Sequence, residues 1–459
     1  MTMNTDVIVI GAGLTGLTTA YLLARKGRKV AVLERMAVAG GQIQTHTESG
    51  FVFESGPNTG TVSCPEVAEL MADLELTSGG RCRMELAPDA AKRRLIWKGD
   101  RFHALPSGPM SAVATPLFTF ADKMRILGEP WRTKGNNPDE SVGALARRRL
   151  GRSFVDYAVD PFLSGVYAGN PDTLVTRYAL PKLYNLEQEH GSFIRGAIAK
   201  ARQPKSDRDR LATKRVFSAV GGLSQITRAM ATYLGEERLK LGLSEVKVSP
   251  VEGGWRATYI NKVGEEERVE GRQVVTTCGS YDLPELLPFV SRQTMSRLSN
   301  LSYAPVVEIS VGARNTFGGD YRAFGGLIPS CEKKDVLGIL FPSSCFTGRA
   351  PEGGALFSYF IGGVKHAEIL QKSDSELEAL VEEYFHSMLM FPATAKPDLI
   401  RIFRHRRAIP QYEITTGERL DAIAQTESLY KGLTIGGNLR DGIGMAHRIK
   451  QATDIANKL

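Results

Sequence analysis

The chain has 459 residues, 42% of them hydrophobic and 24% charged, with 47 glycines and 22 prolines. That balance fits a folded globular protein and excludes a disordered, collagen-like or disulfide-scaffold chain; at about 150 residues per domain, the length predicts two or three compact units. Lys and Arg outnumber Asp and Glu by 58 to 50, a formal charge of +8, which suits anionic substrates, lipid headgroups or nucleic acid without choosing among them.

Residues 6–10, Asp6-Val7-Ile8-Val9-Ile10, form a short β-branched run of the kind a buried parallel strand uses. The run passes directly into Gly11-Ala12-Gly13-Leu14-Thr15-Gly16. An amphipathic helix is predicted over residues 14–26, with Leu17, Ala20, Tyr21 and Ala24 on one face and Gly27 as its C-cap. A second strand, Val30–Leu33, ends at Glu34, 18 residues past Gly16. Strand, GxGxxG, helix, strand and acid in this order form a dinucleotide-binding unit. Gly11 makes the tight turn, Gly13 lets the backbone approach a pyrophosphate, and Gly16 allows close helix–strand packing. The helix N-terminus favours the phosphate charge, and Glu34 is placed to hold a ribose hydroxyl. Arg35 and then a second glycine pair, Gly40-Gly41, follow the acid. A plain NAD fold has no need of that pair, so FAD is the expected cofactor.

Residues 110–127 mix Val113, Leu117, Phe118, Phe120, Met124 and Ile126 with few charges, and Arg147, Arg148, Arg149, Arg152, Lys200, Arg202, Lys205, Arg208 and Arg210 follow. Apolar helices beside basic residues suit an anionic membrane surface, and an ordinary helical domain with solvated arginines accounts for them equally. The alternating runs at residues 306–311 and 355–360 predict a mostly antiparallel sheet. Near the C-terminus, residues 433–435 read as a strand, Gly436-Gly437-Asn438 as a turn, and residues 444–458 as a helix with Ala446, Ile449, Ala452 and Ile455 on one face. A second helix N-terminus returning to the same cofactor is what a flavin needs to stabilise negative charge on its reduced ring.

The five cysteines, Cys64, Cys82, Cys278, Cys331 and Cys345, stand singly without CxxC spacing, and the seven histidines are equally dispersed. A reducing compartment is expected, and a protein-bound metal is not. No run reaches the roughly 18 apolar residues of a membrane span. Signal cleavage after the first apolar run would destroy the glycine motif. The expectation is a cytoplasmic protein, with a peripheral place on the cytoplasmic face of the membrane left open.

Taken together, these residues resemble the protoporphyrinogen oxidase family of the flavin amine-oxidase superfamily, over nearly the whole chain. Gly11 to Gly16 and Glu34 to Gly41 are similar to the family's FAD-binding start, and Phe53-Glu54-Ser55-Gly56-Pro57-Asn58 to its flavin-facing loop. Asp160 to Gly169 (DPFLSGVYAG), Ala323 to Pro329 (AFGGLIP) and Pro410-Gln411-Tyr412 follow in the family's order, and Gly436 to Ile449 closes the pattern. The resemblance implies an α/β (α+β) fold in three parts. A discontinuous Rossmann-like FAD-binding domain would take residues 1–80, 215–280 and 410–459. A mainly helical, membrane-binding domain would take 85–210, and a mixed-sheet substrate domain 285–405.

The resemblance also implies chemistry and site residues. FAD would oxidise a porphyrinogen by six electrons in three cycles, with flavin N5 as hydride acceptor and no catalytic side chain, because the cofactor carries the hard chemistry. Oxygen giving hydrogen peroxide is the expected acceptor, with a quinone as the alternative. Protoporphyrinogen IX is the expected substrate and coproporphyrinogen III the alternative, the two differing in carboxylate number. For the substrate, Arg94 matches the propionate-pairing arginine, with Arg93 competing for the role. Phe324 and Leu327 match residues sandwiching a pyrrole, and Gly165 a backbone position beside it. For the cofactor, Gly11, Gly13, Gly16, Glu34, Arg35, Gly41, Gln42, Gly56, Pro57, Asn58, Val246, Gly437, Ile443, Gly444 and Met445 are the candidates. FAD would be non-covalent, since the turn at 436–438 has no cysteine. The resemblance admits a homodimer and a hand-off to the next haem-pathway enzyme. The rival readings are a flavin amine oxidase and a flavin-binding protein without redox turnover; nucleic-acid binding has only the positive charge behind it.

Overall fold

In the computed structural model, which describes residues 2–459, the opening apolar run becomes the strand Thr2–Ile10, at the heart of a seven-stranded sheet. Val7 and Val9 pack on one face with the helix Leu14–Arg25, while Ile8 and Ile10 pack on the other. Both faces are covered, as parallel strands require. Val30–Leu33 pairs with the opening strand in parallel on one side and Glu266–Thr276 in parallel on the other. The first half of Glu266–Thr276 also pairs antiparallel with Gly254–Ile260, and its second half pairs parallel with Leu433–Ile435. Three distant stretches of chain thus meet in one sheet. The opening helix ends one residue before the expected point, with Gly27 at φ +79° beyond it. Its last turn is tied to the closing helix, Met445–Lys458: Lys26 Nζ donates to the Ala456 carbonyl at 2.7 Å and to Asn457 Oδ1 at 2.8 Å.

The expected antiparallel sheet is present and larger than its two alternating runs suggest. Its strands lie in the order Leu399–Pro410, Tyr303–Ala313, Ala355–Gly362, Val336–Leu340, Gly325–Leu327, Arg94–Lys98 and Arg101–Ala104. One face carries Val307, Ile309, Ile339, Phe357 and Tyr359, and is buried under Leu377, Val381 and Phe385 of the helix Asp374–Ser387. The other face carries Glu308, Phe360, Gly338, Leu327, Ile96 and Arg94 in register across the strands. It turns toward the loop that holds Asn58 and toward the helix Asp160–Tyr167.

The strand pair Arg94–Lys98 and Arg101–Ala104 corrects the expected boundaries. Within 85–210, expected to be mainly helical, this hairpin completes the second sheet, and the α-helices begin at Pro109–Ala114. Gly99, at φ +67°, makes the two-residue turn possible, and Trp97 meets Phe102 edge to face at 5.0 Å. The second boundary also moves. The helices Leu283–Leu286 and Arg292–Ser299 pack with Ala422 and Ile423 of Thr416–Leu429, and so belong to the nucleotide-binding half. Residue 1 of the expected first segment lies outside the described residues.

The helical region has an ionic centre in place of a large apolar one. Arg149 is fully buried between Glu129 and Glu187, each at 2.6 Å, and Glu129 also caps the helix Phe193–Arg202 through the Ser192 hydroxyl and the Phe193 and Ile194 amides. Removing one partner of such a cluster strands buried charge. Arg149→Met is expected to lower unfolding free energy by about 3–5 kcal/mol, read from urea unfolding followed by circular dichroism.

Candidate active site

Gly11, at φ +99°, turns the chain out of the first strand, and its amide donates to the Leu33 carbonyl at 2.8 Å. A side chain at Gly16 would place Cβ 1.9 Å from the Gly11 carbonyl oxygen, so only glycine lets the helix start this close to the strand. At Gly13, which lines the cavity described below, the added Cβ would meet nothing within 4 Å. Gly40 and Gly41 fold back on this turn: the Gly40 amide donates to the Ala12 carbonyl at 2.8 Å, and a Cβ on Gly41 would come within 3.2 Å of Gly13 Cα. The Glu34 carboxylate accepts from the Ala12 amide at 2.6 Å and the Met36 amide at 2.7 Å, which fixes it beside the phosphate turn with lone pairs to spare for a ribose hydroxyl.

Most of these residues line a cavity of about 760 Å³, within the range of a cofactor site. Of the expected cofactor residues, Gly11, Gly13, Glu34, Arg35, Gly41, Gln42, Pro57, Val246, Gly437, Ile443 and Met445 face it. The other four stand behind the lining. Gly16 packs on Gly11. Gly56 is pressed to Gln42, where a Cβ would lie 2.1 Å from the carbonyl oxygen. Asn58 is buried against the second sheet, and Gly444 caps the closing helix. The donor set fits a flavin dinucleotide: a free helix N-terminus for the diphosphate, an acid at the ribose distance, and the Gly437 turn at the far end.

Arg407, Arg448 and Gln451 were not singled out by the sequence, and the last two hold a segment that was. The Gly436-Gly437 turn, with Gly437 at φ +91°, is held from below by Arg448 and Gln451 of the closing helix. Gln451 Oε1 accepts from the Gly437 amide at 2.8 Å, and Arg448 donates to the Gly437 and Arg440 carbonyls. Arg407, on the edge strand of the second sheet, lies over the Tyr281 ring at 4.2 Å, and both line the cavity. The Pro410-Gln411-Tyr412 segment is a tie: Gln411 Nε2 donates to the Tyr167 carbonyl at 2.8 Å and the Tyr412 hydroxyl to the Asn438 carbonyl at 2.9 Å.

The four expected substrate residues lie outside the dinucleotide cavity and fall in two pairs, Arg94 with Phe324 and Gly165 with Leu327, at opposite ends of the short strand Gly325–Leu327. The Arg94 guanidinium lies over Phe324 at 4.9 Å and makes no ion pair or side-chain hydrogen bond among the described residues. It is open to solvent yet crowded by protein, and this desolvation lowers its pKa. Neighbouring cations are engaged: Lys98 Nζ donates to the Pro116 carbonyl at 2.7 Å, and Lys365 Nζ binds Asp160 at 2.6 Å. Arg93 is exposed and lies near Asp320. A Cβ on Gly165 would meet the end of the Leu327 side chain, Cδ2, at 2.5 Å, so the helix and this strand are in close contact there. Phe324 and Leu327 pack in different clusters, Phe324 with Ala87 and Phe346, Leu327 with Ile96, Phe118 and Phe154.

The two glycines separate space from packing. Gly13→Ala is expected to keep the melting temperature of the cofactor-free chain while lowering bound flavin per chain; Gly16→Ala is expected to lower both. Differential scanning fluorimetry and flavin absorbance measure the pair.

The family described as flavin containing amine oxidoreductase matches residues 14–442. Protoporphyrinogen oxidase 1 of Arabidopsis thaliana, a chloroplastic protein, is 31% identical over 99% of this chain and 88% of its own length. Human protoporphyrinogen oxidase is 28% identical over 99% of this chain and 98% of its own. In fold, the chain is similar to a crystal structure from Exiguobacterium sp. 255-15, provisionally assigned as a protoporphyrinogen oxidase, with a TM-score of 0.79 and 20% identity over 100% of this chain and 98% of that one. The glycine cradle, the second turn at Gly437 and this full-length likeness make the chain a member of the flavin-containing amine oxidoreductase family, in its protoporphyrinogen oxidase branch, and an FAD-dependent oxidase.

Proposed function

We propose that the protein oxidises protoporphyrinogen IX to protoporphyrin IX in haem biosynthesis, with oxygen as acceptor. Six electrons leave the substrate in three pairs, and three oxygen molecules become three hydrogen peroxides. The observation that carries this reading is the unpaired Arg94 guanidinium stacked on Phe324, on the sheet face turned to the flavin-facing loop. A solvent-accessible guanidinium without a partner, held over an aromatic ring, is open to a carboxylate, and its planar shape takes one in two-point geometry. The nearby cations Lys98 and Lys365 are already engaged, which favours a substrate with two carboxylates over one with four.

When bound, FAD supplies the hydride acceptor and the route to oxygen. The chain itself binds and orients: Arg94 anchors a propionate, Phe324 and Leu327 offer apolar surface, and Gly165 keeps the helix close enough to exclude water. Non-covalent binding is supported by the turn at 436–438, which lacks a cysteine, and by Cys278, the thiol on the cavity wall, whose pKa burial pushes up to about 12.

A membrane surface is the second part of the reading. Among the described residues, no helix is long and apolar enough to cross a membrane. Instead the helices Pro109–Ala114 and Phe120–Leu127 and the turn Glu129–Trp131 leave Met110 at 85%, Val113 at 74%, Phe120 at 77% and Trp131 at 78% exposure. This apolar patch on a basic protein suits insertion at the headgroup level of an anionic bilayer, on the cytoplasmic face.

Arg94→Ala is expected to raise KM for protoporphyrinogen about ten- to a hundredfold, the worth of a charge-assisted pair, with bound FAD unchanged; porphyrin fluorescence in air, with autoxidation subtracted, measures it. Faster wild-type turnover of coproporphyrinogen III would reassign the substrate. In flotation with phosphatidylglycerol vesicles at low salt, the wild type is expected to rise and a Phe120→Ser, Trp131→Ser double variant to stay at the bottom.

A further inference from the structure

Glu308 lies in the middle of Tyr303–Ala313, 1% exposed, on the sheet face that meets the flavin-facing loop. Its Oε1 accepts from Asn58 Nδ2 at 2.5 Å, and its Oε2 has no hydrogen-bond partner among the described residues. Asn58 is itself fully directed: Nδ2 also donates to the Gly56 carbonyl at 3.1 Å, and Oδ1 accepts from the Ser358 hydroxyl at 2.7 Å. Through Asn58, the carboxyl group therefore sets the shape of Gly56-Pro57-Asn58, whose Pro57 lines the dinucleotide cavity.

The groups around Glu308 give it no counter-charge. Directly opposite it on the neighbouring strands stand Phe360 and Phe403. Further along the edge strand is His405, held toward its neutral form by burial. The nearest charged element is Glu54, of the same sign, whose carboxylate is already paired with Arg349 at 3.0 Å and accepts from the Leu223 amide and the Thr45 hydroxyl. Burial first, and the Glu54 charge in addition, push the Glu308 carboxyl well above the usual range. An isolated carboxylate in such a place is costly, and a neutral acid carries one O–H donor. Since Oε1 is the acceptor for Asn58, the proton belongs on Oε2.

We propose that Glu308 acts as a neutral carboxylic acid and is a positioning residue of the flavin site: its Oε1 fixes Asn58 and, through Asn58, the loop whose Pro57 lines the cavity. This rests on the flavin reading and on nothing about the substrate. The sign of its pH dependence follows from linkage. A carboxyl whose pKa is raised in the native state stabilises that state fully below the ordinary carboxylate range, and the contribution is lost as pH rises through the raised value.

The test uses the FAD-loaded enzyme without substrate, as wild type, Glu308→Gln and Glu308→Leu. Glu308→Gln preserves shape and neutrality but cannot ionise. As pH rises from the ordinary carboxylate range, the wild-type melting temperature is expected to fall relative to Glu308→Gln and its flavin absorbance bands to shift, while the bands of Glu308→Gln stay fixed. With a porphyrinogen, Glu308→Gln should keep kcat within about threefold, while Glu308→Leu, which releases Asn58, should lose about a hundredfold in kcat with little change in KM. Wild-type bands and stability that track Glu308→Gln across the whole range would overturn the proposal, as would a Glu308→Gln variant as impaired as Glu308→Leu. A failure to oxidise any porphyrinogen would sink the functional reading alone, because the spectral and melting measurements need no substrate.

Discussion

The closeness of the first helix to the first strand is the constraint on which the rest hangs. With the Gly11 carbonyl lying where a Cβ of residue 16 would be, the helix begins immediately above the sheet, and its unpaired first-turn amides point along the strand ends. Everything else at that end is stacked on this turn. Gly40 and Gly41 close over it, the Thr277 hydroxyl donates to the Ile10 carbonyl at 2.9 Å beneath it, and Gly437 packs on Thr277 with no room for a Cβ. Segments from across the chain approach one another closely here because Gly11, Gly16, Gly41 and Gly437 carry no side chain at the crossing.

The second sheet is joined to this platform by polar contacts between buried groups. Asn58 reaches Glu308 and Ser358, Glu54 reaches Arg349, and Gln411 and Tyr412 tie the edge strand to the helix Asp160–Tyr167 and the loop before the closing helix. Directional bonds of this kind fix register where apolar packing alone would let two layers slide. They also give the residues expected to meet substrate a defined relation to the dinucleotide cavity.

The parts legible from sequence were those in which function and local geometry share one short window. The opening unit, from strand to Glu34, and the closing strand, turn and helix could be read because a glycine spacing and a helical period fall within a few turns of each other. The hairpin at residues 94–104 was missed because its short alternation beside arginines reads as surface until the neighbouring strand Gly325–Leu327, far along the chain, arrives to pair with it. Arg448, Gln451 and Arg407 look like ordinary helix and strand surface in one dimension, and only the fold buries them against the Gly437 turn or sets them on the cavity wall. Glu308 sits among β-branched residues at an alternating position, where a polar residue would normally be taken to face water. Here that face meets another layer.

The bond from Lys26 to the Ala456 carbonyl and Asn457 joins the first helix to the last, and the same half of the molecule needs the strands at 266–276 and 433–435 to complete its sheet. On the ribosome, the opening strand and helix emerge early and must wait for nearly the whole chain before their partners exist. Contacts of such long sequence separation make folding slow. The cavity lining, which runs to Arg448, is complete only when nearly the whole chain exists, and until then the apolar faces of the opening strand and helix lack their partners. Flavin supply acts at that late moment, and by binding only the completed fold it drives the last step to the native state by mass action.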